Sequence, residues 1–216
     1  MTTYYYKDIP DYFFNKFRAV RSCLDNFHNV MQIAEIVNNC HDCLVENFDD
    51  GFDIAIFTQE ARRFLVRTTD GYMSMSFPFQ IVVNEGHIIS FNCDMVNEPV
   101  NGLFISAMKN AVNTVEQYGF PYEEVIVSLA DNFDFTIDKA TLYYDTFITL
   151  IAEDHGYLRF DDDVKRENGD IHPRYHFDLF FKNSSGIKLG YHKRAEFNCF
   201  LPLFNKEIPK FYLTSN

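Results

Sequence analysis

Tryptophan is absent from this chain, and glycine and proline are scarce, at nine and seven in 216 residues. So few chain breakers exclude a collagen-like or low-complexity protein. An apolar content of 47%, with 17% aromatic, excludes disorder. Cys23, Cys40, Cys43, Cys93 and Cys199 are an odd, scattered set, unlike the disulfide framework of a small secreted domain. The opening Met1-Thr-Thr-Tyr-Tyr-Tyr-Lys-Asp8 has neither the basic nor the apolar region of a signal peptide, and no apolar run approaches a membrane span. A cytoplasmic protein with no membrane partner is the expectation. The sequence also lacks a phosphate loop, a Gly-rich dinucleotide fingerprint and a Gly-x-Ser-x-Gly elbow, which excludes nucleotide-driven machinery and the common serine hydrolases.

What the chain has in abundance is phenylalanine, 24 residues, with 13 tyrosines. Large aromatics contribute much of the buried area in such a fold, so a Phe-rich core is expected. The length suits one sizeable core, and the reading is a single domain over 1–216, with a loose boundary near residue 96 as the alternative. The net charge of −12 is unevenly spread. Residues 1–158 carry 9 Lys/Arg against 23 Asp/Glu, whereas residues 159–216 carry 10 against 8. Diffuse binding to nucleic acid needs a positive face, which this balance denies except at the C-terminal end. An acidic body suits a basic protein partner.

Periodicity predicts an α+β fold: an antiparallel β-meander with packed helices and a C-terminal β-hairpin plus helix. Phe13, Phe14, Phe17, Val20, Leu24, Phe27, Val30 and Met31 recur at helical spacing and predict one helix from Asp11 to about Asn38. Strands follow at Phe52–Phe57, Arg63–Thr69, Tyr72–Phe79, Ile81–Val83 and His87–Cys93. Asp70-Gly71 and Asn84-Glu85-Gly86 provide the turns between them. Asn97 is a cap candidate for a helix through Val115 that ends at Gly119, 122–130 is ambiguous, and a third helix covers Asp138 to Asp154. Strands near 157–161, 174–181 and 187–192 and a final helix near Ala195–Asn205 complete the chain.

The candidate site lies in the last quarter, which holds three of the seven histidines. Between Arg174 and Phe181 apolar and polar residues alternate, placing Arg174, His176 and Asp178 on one face. A hairpin with Phe181 opposite Ile187 would set His176 against His192, Asp178 beside Gly190 and Arg174 beside Arg194. Two imidazoles could serve as general acid and base, with Arg174 steadying a phosphate and Asp178 as a further candidate catalytic residue. Arg194, Lys188 and Arg166 would extend a nucleic-acid-binding patch. Alternatively, His172, His176 and Asp178 could hold a divalent metal, although the first expectation is that no cofactor is needed. A solvated polar sheet face with a satisfied His–Asp pair explains the same residues without chemistry. Cys40-His-Asp-Cys43 has redox spacing but no βα context, and Asp161-Asp162-Asp163 reads as a solvated strand end.

Leu158-Arg-Phe-Asp161, His172-Pro-Arg-Tyr-His176, Ile187-Lys-Leu-Gly190 and the tail from Phe197 to Ile208-Pro-Lys-Phe-Tyr212 resemble an uncharacterised bacterial family, domain-of-unknown-function family 2290. Its members carry Arg-Phe-Asp, then His-Pro-x-x-His, then a Phe-containing helix. Where the family has an Arg before an Ile-Pro pair, this chain has Lys188 and Gly190. The resemblance implies a bacterial or phage protein from gene neighbourhoods that carry defence and toxin systems. Two functions follow as expectations. The first is a binding or regulatory subunit whose acidic body engages a protein partner. The other is a phosphodiesterase or nuclease built on the His176/His192 hairpin.

Overall fold

The computed structural model describes residues 3–46, 51–58, 62–84, 88–119, 121–181 and 184–211. The fold is α+β, with an eight-stranded and a three-stranded sheet, both antiparallel. The chain divides into two compact units, the first formed by Met1–Asp8, Leu44–Phe77 and Gly156–Asn216, the second by Ile9–Cys43 and Pro78–His155. Residue 96 lies inside the second.

The first unit contains the large sheet. In chain order its strands are β1 (Thr3–Tyr6), β2 (Leu44–Val45), β3 (Ile54–Phe57), β4 (Arg63–Thr68), β5 (Gly71–Ser76), β9 (Leu158–Asp162), β10 (Tyr175–Phe181) and β11 (Ser184–Gly190). In space the order is β11-β10-β9-β5-β4-β3-β1-β2. One face carries the aromatic core expected from composition, with Tyr5, Phe57, Leu65 and Phe160 buried together with Phe197, Phe200 and Phe204. The predicted final helix is instead a 3₁₀ turn at Phe197–Cys199 and a short helix, α6 (Leu201–Phe204). Phe200 is fully buried with its ring 4.7 Å from Tyr72 and 6.0 Å from Phe177. Burying a ring of that size contributes roughly 2–3 kcal/mol, and the segment thereby covers the sheet without a long helix.

The second unit contains β6 (Gln80–Asn84), β7 (Ile88–Cys93) and β8 (Glu98–Pro99), with helices α1 (Asp11–Phe14), α2 (Cys23–Asn39), α3 (Gly102–Tyr118), α4 (Tyr122–Phe133) and α5 (Ile137–Ala152). The single helix expected over 11–38 is two. Ser22 caps α2 by accepting from the Asp25 amide, and Asn29 holds the preceding loop by pairing both ways with the Arg18 backbone, at 2.8 Å each. A buried side chain thus satisfies backbone groups that a continuous helix would have bonded internally. Asn97 is not a cap but a turn residue with φ 53°, and Asn101 caps α3 by accepting from the Phe104 amide. The ambiguous 122–130 stretch is helical, and Thr136 caps α5. The Asn84-Glu85-Gly86 turn falls largely outside the described residues.

A polar contact ties β8 to α5. Glu98 accepts from the buried Tyr143 hydroxyl at 2.5 Å and from Lys139 Nζ at 2.8 Å, and these bonds hold its carboxyl below the usual range. A carboxyl depressed on folding contributes stability that is full above its ordinary value, 4.5, and is lost as pH falls through the folded value. Tyr143→Phe is therefore expected to cost about 1–2 kcal/mol near pH 7. It should also flatten the loss of stability below pH ~4.5. Urea unfolding of both forms across pH 3–7 tests this; parallel pH profiles would show that Glu98 gains nothing from Tyr143.

Candidate functional site

On the sheet face opposite the aromatic core, strand alternation assembles a polar patch from three neighbours: Arg159 and Asp161 from β9, His176 and Asp178 from β10, and Lys188 from β11. The registers make His176 the direct partner of Asp161, and put Asp178 between Arg159 and Lys188. Arg159 bridges both carboxylates, donating from Nε to Asp161 Oδ2 at 2.8 Å and from the guanidinium NH2 to Asp178 Oδ2 at 2.9 Å. Lys188 Nζ lies 2.7 Å from Asp178 Oδ1, close enough for charge pairing although the angle is poor for a hydrogen bond. The Arg159 side chain is about three-quarters buried. Burial works against its charge, yet the Asp161 carboxylate beside it, with Tyr157 and Asp178, holds its pKa above the ordinary value.

His176 is 1% exposed, at the centre of the patch. Its Nδ1 lies 2.7 Å from the Pro173 carbonyl oxygen, which can only accept, so Nδ1 carries the hydrogen. Nε2 then faces Asp161 Oδ2 at 3.5 Å and Asp178 Oδ2 at 3.7 Å. The 163–174 connection closes over this side. The Asp163 amide donates to the Arg174 carbonyl at 2.8 Å, and the Pro173 ring lies so close to Gly190 that an added Cβ would come within 3.0 Å of it. A side chain at 190 would lift the very proline whose carbonyl orients His176.

The hairpin register departs from the expected one by two residues. Leu179, not Phe181, pairs with Ile187, and a bulge follows between Leu179 and Phe180. Ser184 and Ser185, expected in the turn, pair in the ladder, so the connection is shorter than its composition suggested. A two-residue shift leaves every side chain on its own face and changes only its partner. His176 accordingly faces Gly190 and Asp178 faces Lys188, while His192 lies beyond the end of β11 and is exposed. The two histidines expected to share a site are not strand partners.

The remaining expected residues are paired singly. Arg174 reaches Asp162, Nε to Oδ1 at 2.7 Å, and Arg194 Nε lies 3.9 Å from Oδ2 of the same carboxylate. The two arginines therefore meet over Asp162, whose carboxyl the Arg174 hydrogen bond holds below the usual range. His172 Nε2 lies 3.3 Å from Asp163 Oδ2, and Arg166 pairs with the same group at 2.8 Å. Asp163 is held below the usual range: burial would raise its carboxyl, but the bonds from His172 and Arg166 outweigh it. His172 thus contacts the His176 ring edge-on at 4.9 Å while its nitrogen serves another carboxylate. Arg159 and Asp161 were absent from the sequence-derived site; the Arg-Phe-Asp motif was the available signal.

Cys40 and Cys43 are not joined in a disulfide, and burial, with Cys43 beside it, pushes the Cys40 thiol up to about 11. A redox nucleophile needs the opposite shift.

A second feature lies in the helical unit. Between α3 and α4 runs an open groove of about 590 Å³. Its floor is a side-chain network: Asn110 donates to Ser128 Oγ at 2.7 Å, and Asn132 donates to Asn110 Oδ1 at 3.1 Å and to Ser128 at 3.2 Å. Asn113, Gln117 and Tyr118 line one wall, and Glu123, Glu124 and Val127 the other. Tyr118 and Val127 are each more than half exposed. From residue 110 to residue 138 the chain has six acidic residues and no Lys or Arg.

Among the described residues no helix is long and apolar enough to cross a membrane. Comparison of the chain with protein-family models, with curated proteins and with solved structures finds no match to any of the three.

Proposed function

We propose that this protein is a binding or regulatory subunit whose helical unit engages a basic, extended segment of a partner protein, in a bacterial defence or toxin–antitoxin-like system. The observation that carries the reading is the placement of charge. The second unit holds five Lys/Arg against sixteen Asp/Glu, whereas the first holds fourteen against fifteen. Almost the whole net charge thus belongs to the unit with the α3–α4 groove. A groove walled by Glu123 and Glu124, and lined by the amides of Asn113 and Gln117, suits a cationic strand in chemistry and in size. The exposed Tyr118 ring adds a face for Arg or Lys.

The rival reading, acid–base cleavage of phosphodiesters, needs two imidazoles within reach of one substrate proton. His176 is buried and bonded, and His192 lies beyond the end of β11 and is not its strand partner. The binding reading asks nothing of either.

The test is selection from a displayed library of short random peptides, comparing wild type with Glu123→Lys/Glu124→Lys. Selected peptides are expected to be rich in Lys and Arg. The double variant should bind those same peptides about tenfold or more weakly, and the wild-type affinity should fall as salt is raised. Selected sequences with no charge preference, or equal binding by the double variant, would overturn the proposal.

A further inference from the structure

We infer that Asp161, His176 and Asp178 form a binding site for one divalent transition-metal ion of borderline softness, such as zinc, cobalt or iron(II). The site lies in the first unit and does not depend on how the second unit binds its partner.

The argument starts from the tautomer. With its hydrogen on Nδ1 committed to the Pro173 carbonyl, His176 turns a lone pair toward two carboxylate oxygens. Three electron-rich atoms, one from each residue, lie within 4.8 Å of one another, and the ring between the carboxylates is 1% exposed. Arg159 offsets the charge of these two carboxylates but makes no bond to Nε2, so the imidazole lone pair itself is left facing oxygen lone pairs. The separations distinguish which cation fits. A charged N–H···O bond would draw nitrogen and oxygen to about 2.7–2.9 Å. Here the distances are 3.5 and 3.7 Å. Metal bonds of about 2.0–2.2 Å at a tetrahedral angle place two ligand atoms roughly 3.3–3.6 Å apart. The 3.5 Å separation is that of a coordination edge, and the 3.7 Å one exceeds it slightly.

The surroundings have the form of an outer shell. A ligating histidine generally donates its other N–H to a carbonyl or carboxylate, and ligating carboxylates are themselves hydrogen-bonded. Pro173 provides the first of these contacts and Arg159 the second, through one lone pair of each Oδ2, leaving capacity for a further partner on each oxygen. One imidazole nitrogen and two carboxylate oxygens suit zinc, manganese, iron(II) or cobalt(II) better than a thiolate-loving or purely oxygen-seeking ion. The positive charges of Arg159 and Lys188 oppose the ion, so micromolar rather than nanomolar affinity is expected. The fourth position opens on the Asp161 side, where the side chain is 18% exposed, and the other two ligands are more deeply covered.

The experiment is titration of the chelator-treated full chain with zinc alone by calorimetry and with cobalt alone by visible absorption. One equivalent is expected, with the cobalt spectrum of a four-coordinate N/O site. His176→Gln and Asp161→Asn should each weaken binding by about 100-fold or more, while His172→Ala and His192→Ala bind as wild type. Circular dichroism confirms that each variant is folded. Should His176→Gln fail to fold, Asp161→Asn, the least buried ligand, decides alone. No bound equivalent in wild type, or an equivalent that survives these ligand substitutions, would overturn the inference.

Discussion

Replacing Arg159 with leucine is expected to cost about 3–5 kcal/mol of stability, the larger of the two effects on the sheet that follow from single side chains. The residue is three-quarters buried and its guanidinium is the bridge between Asp161 and Asp178. Leucine can fill much of the space but neutralises nothing. Two carboxylates would then converge on His176 Nε2 with Lys188 as the remaining partner, and Lys188 is a third exposed and touches only the far oxygen of Asp178. A buried charge stripped of its partner is costly because water cannot replace what was lost. Lys188→Met should cost less, about 1 kcal/mol, since Asp178 keeps the Arg159 guanidinium and the Lys188 side chain is partly exposed.

A double-mutant cycle separates charge from packing. Asp178→Asn in the Arg159→Leu background removes one of the two stranded carboxylates, so the second substitution should recover part of the first loss. In the wild-type background the same change should destabilise. Urea unfolding of the four proteins measures the coupling. An Arg159→Leu cost below about 1 kcal/mol, or additive effects of the two substitutions, would mean that the patch is solvated and its ion pairs contribute little.

The elements legible in the sequence were those whose periodicity and end signals agree. For α3 and α5, apolar residues recur at helical spacing and a glycine lies at or near the C-terminal end, so small errors in the cap hardly mattered. The loop at 15–22 was not legible, because the device that breaks the helix is Asn29, a polar residue eleven positions beyond Arg18. Pattern placed Arg174, His176 and Asp178 on strand β10 with the right alternation. Cross-strand partners depend on where a turn closes, and Ser184-Ser185-Gly186 has turn composition while lying in a strand. That slip of two residues exchanged His192 for Gly190 opposite His176. Arg159 and Asp161 were hidden for a related reason: β9 pairs with β5, more than eighty residues away, and with β10, and its partners are a matter of topology. The α3–α4 groove left a charge signal, six acids and no base over 110–138, without any periodicity to say that two helices would share it.

Gly71→Ala should be the most damaging single-atom addition in the first unit. Asp70-Gly71 was expected only to turn a hairpin, but Gly71 is also where β5 meets β9. It pairs with Thr68 on one side and Asp161 on the other. A Cβ there would lie 1.9 Å from the Phe160 carbonyl oxygen and 2.9 Å from its carbon, both backbone atoms that cannot rotate away. Relief requires β9 to move off β5, which breaks the Tyr72–Phe160 pairing and withdraws Phe160 from the aromatic core. It also carries Arg159 and Asp161 away from His176. A loss of at least about 3–4 kcal/mol is expected, enough that much of the protein would fail to accumulate in soluble form. Gly102→Ala is the matched control. Gly102 opens α3 with nothing within 4 Å of the added carbon, so alanine should leave stability unchanged or raise it by up to about 1 kcal/mol. Soluble yield and thermal midpoint of the two variants measure the difference. Equal behaviour would show that β5 and β9 do not approach as closely as their pairing requires, and the placement of Arg159 and Asp161 against His176 would fall with it.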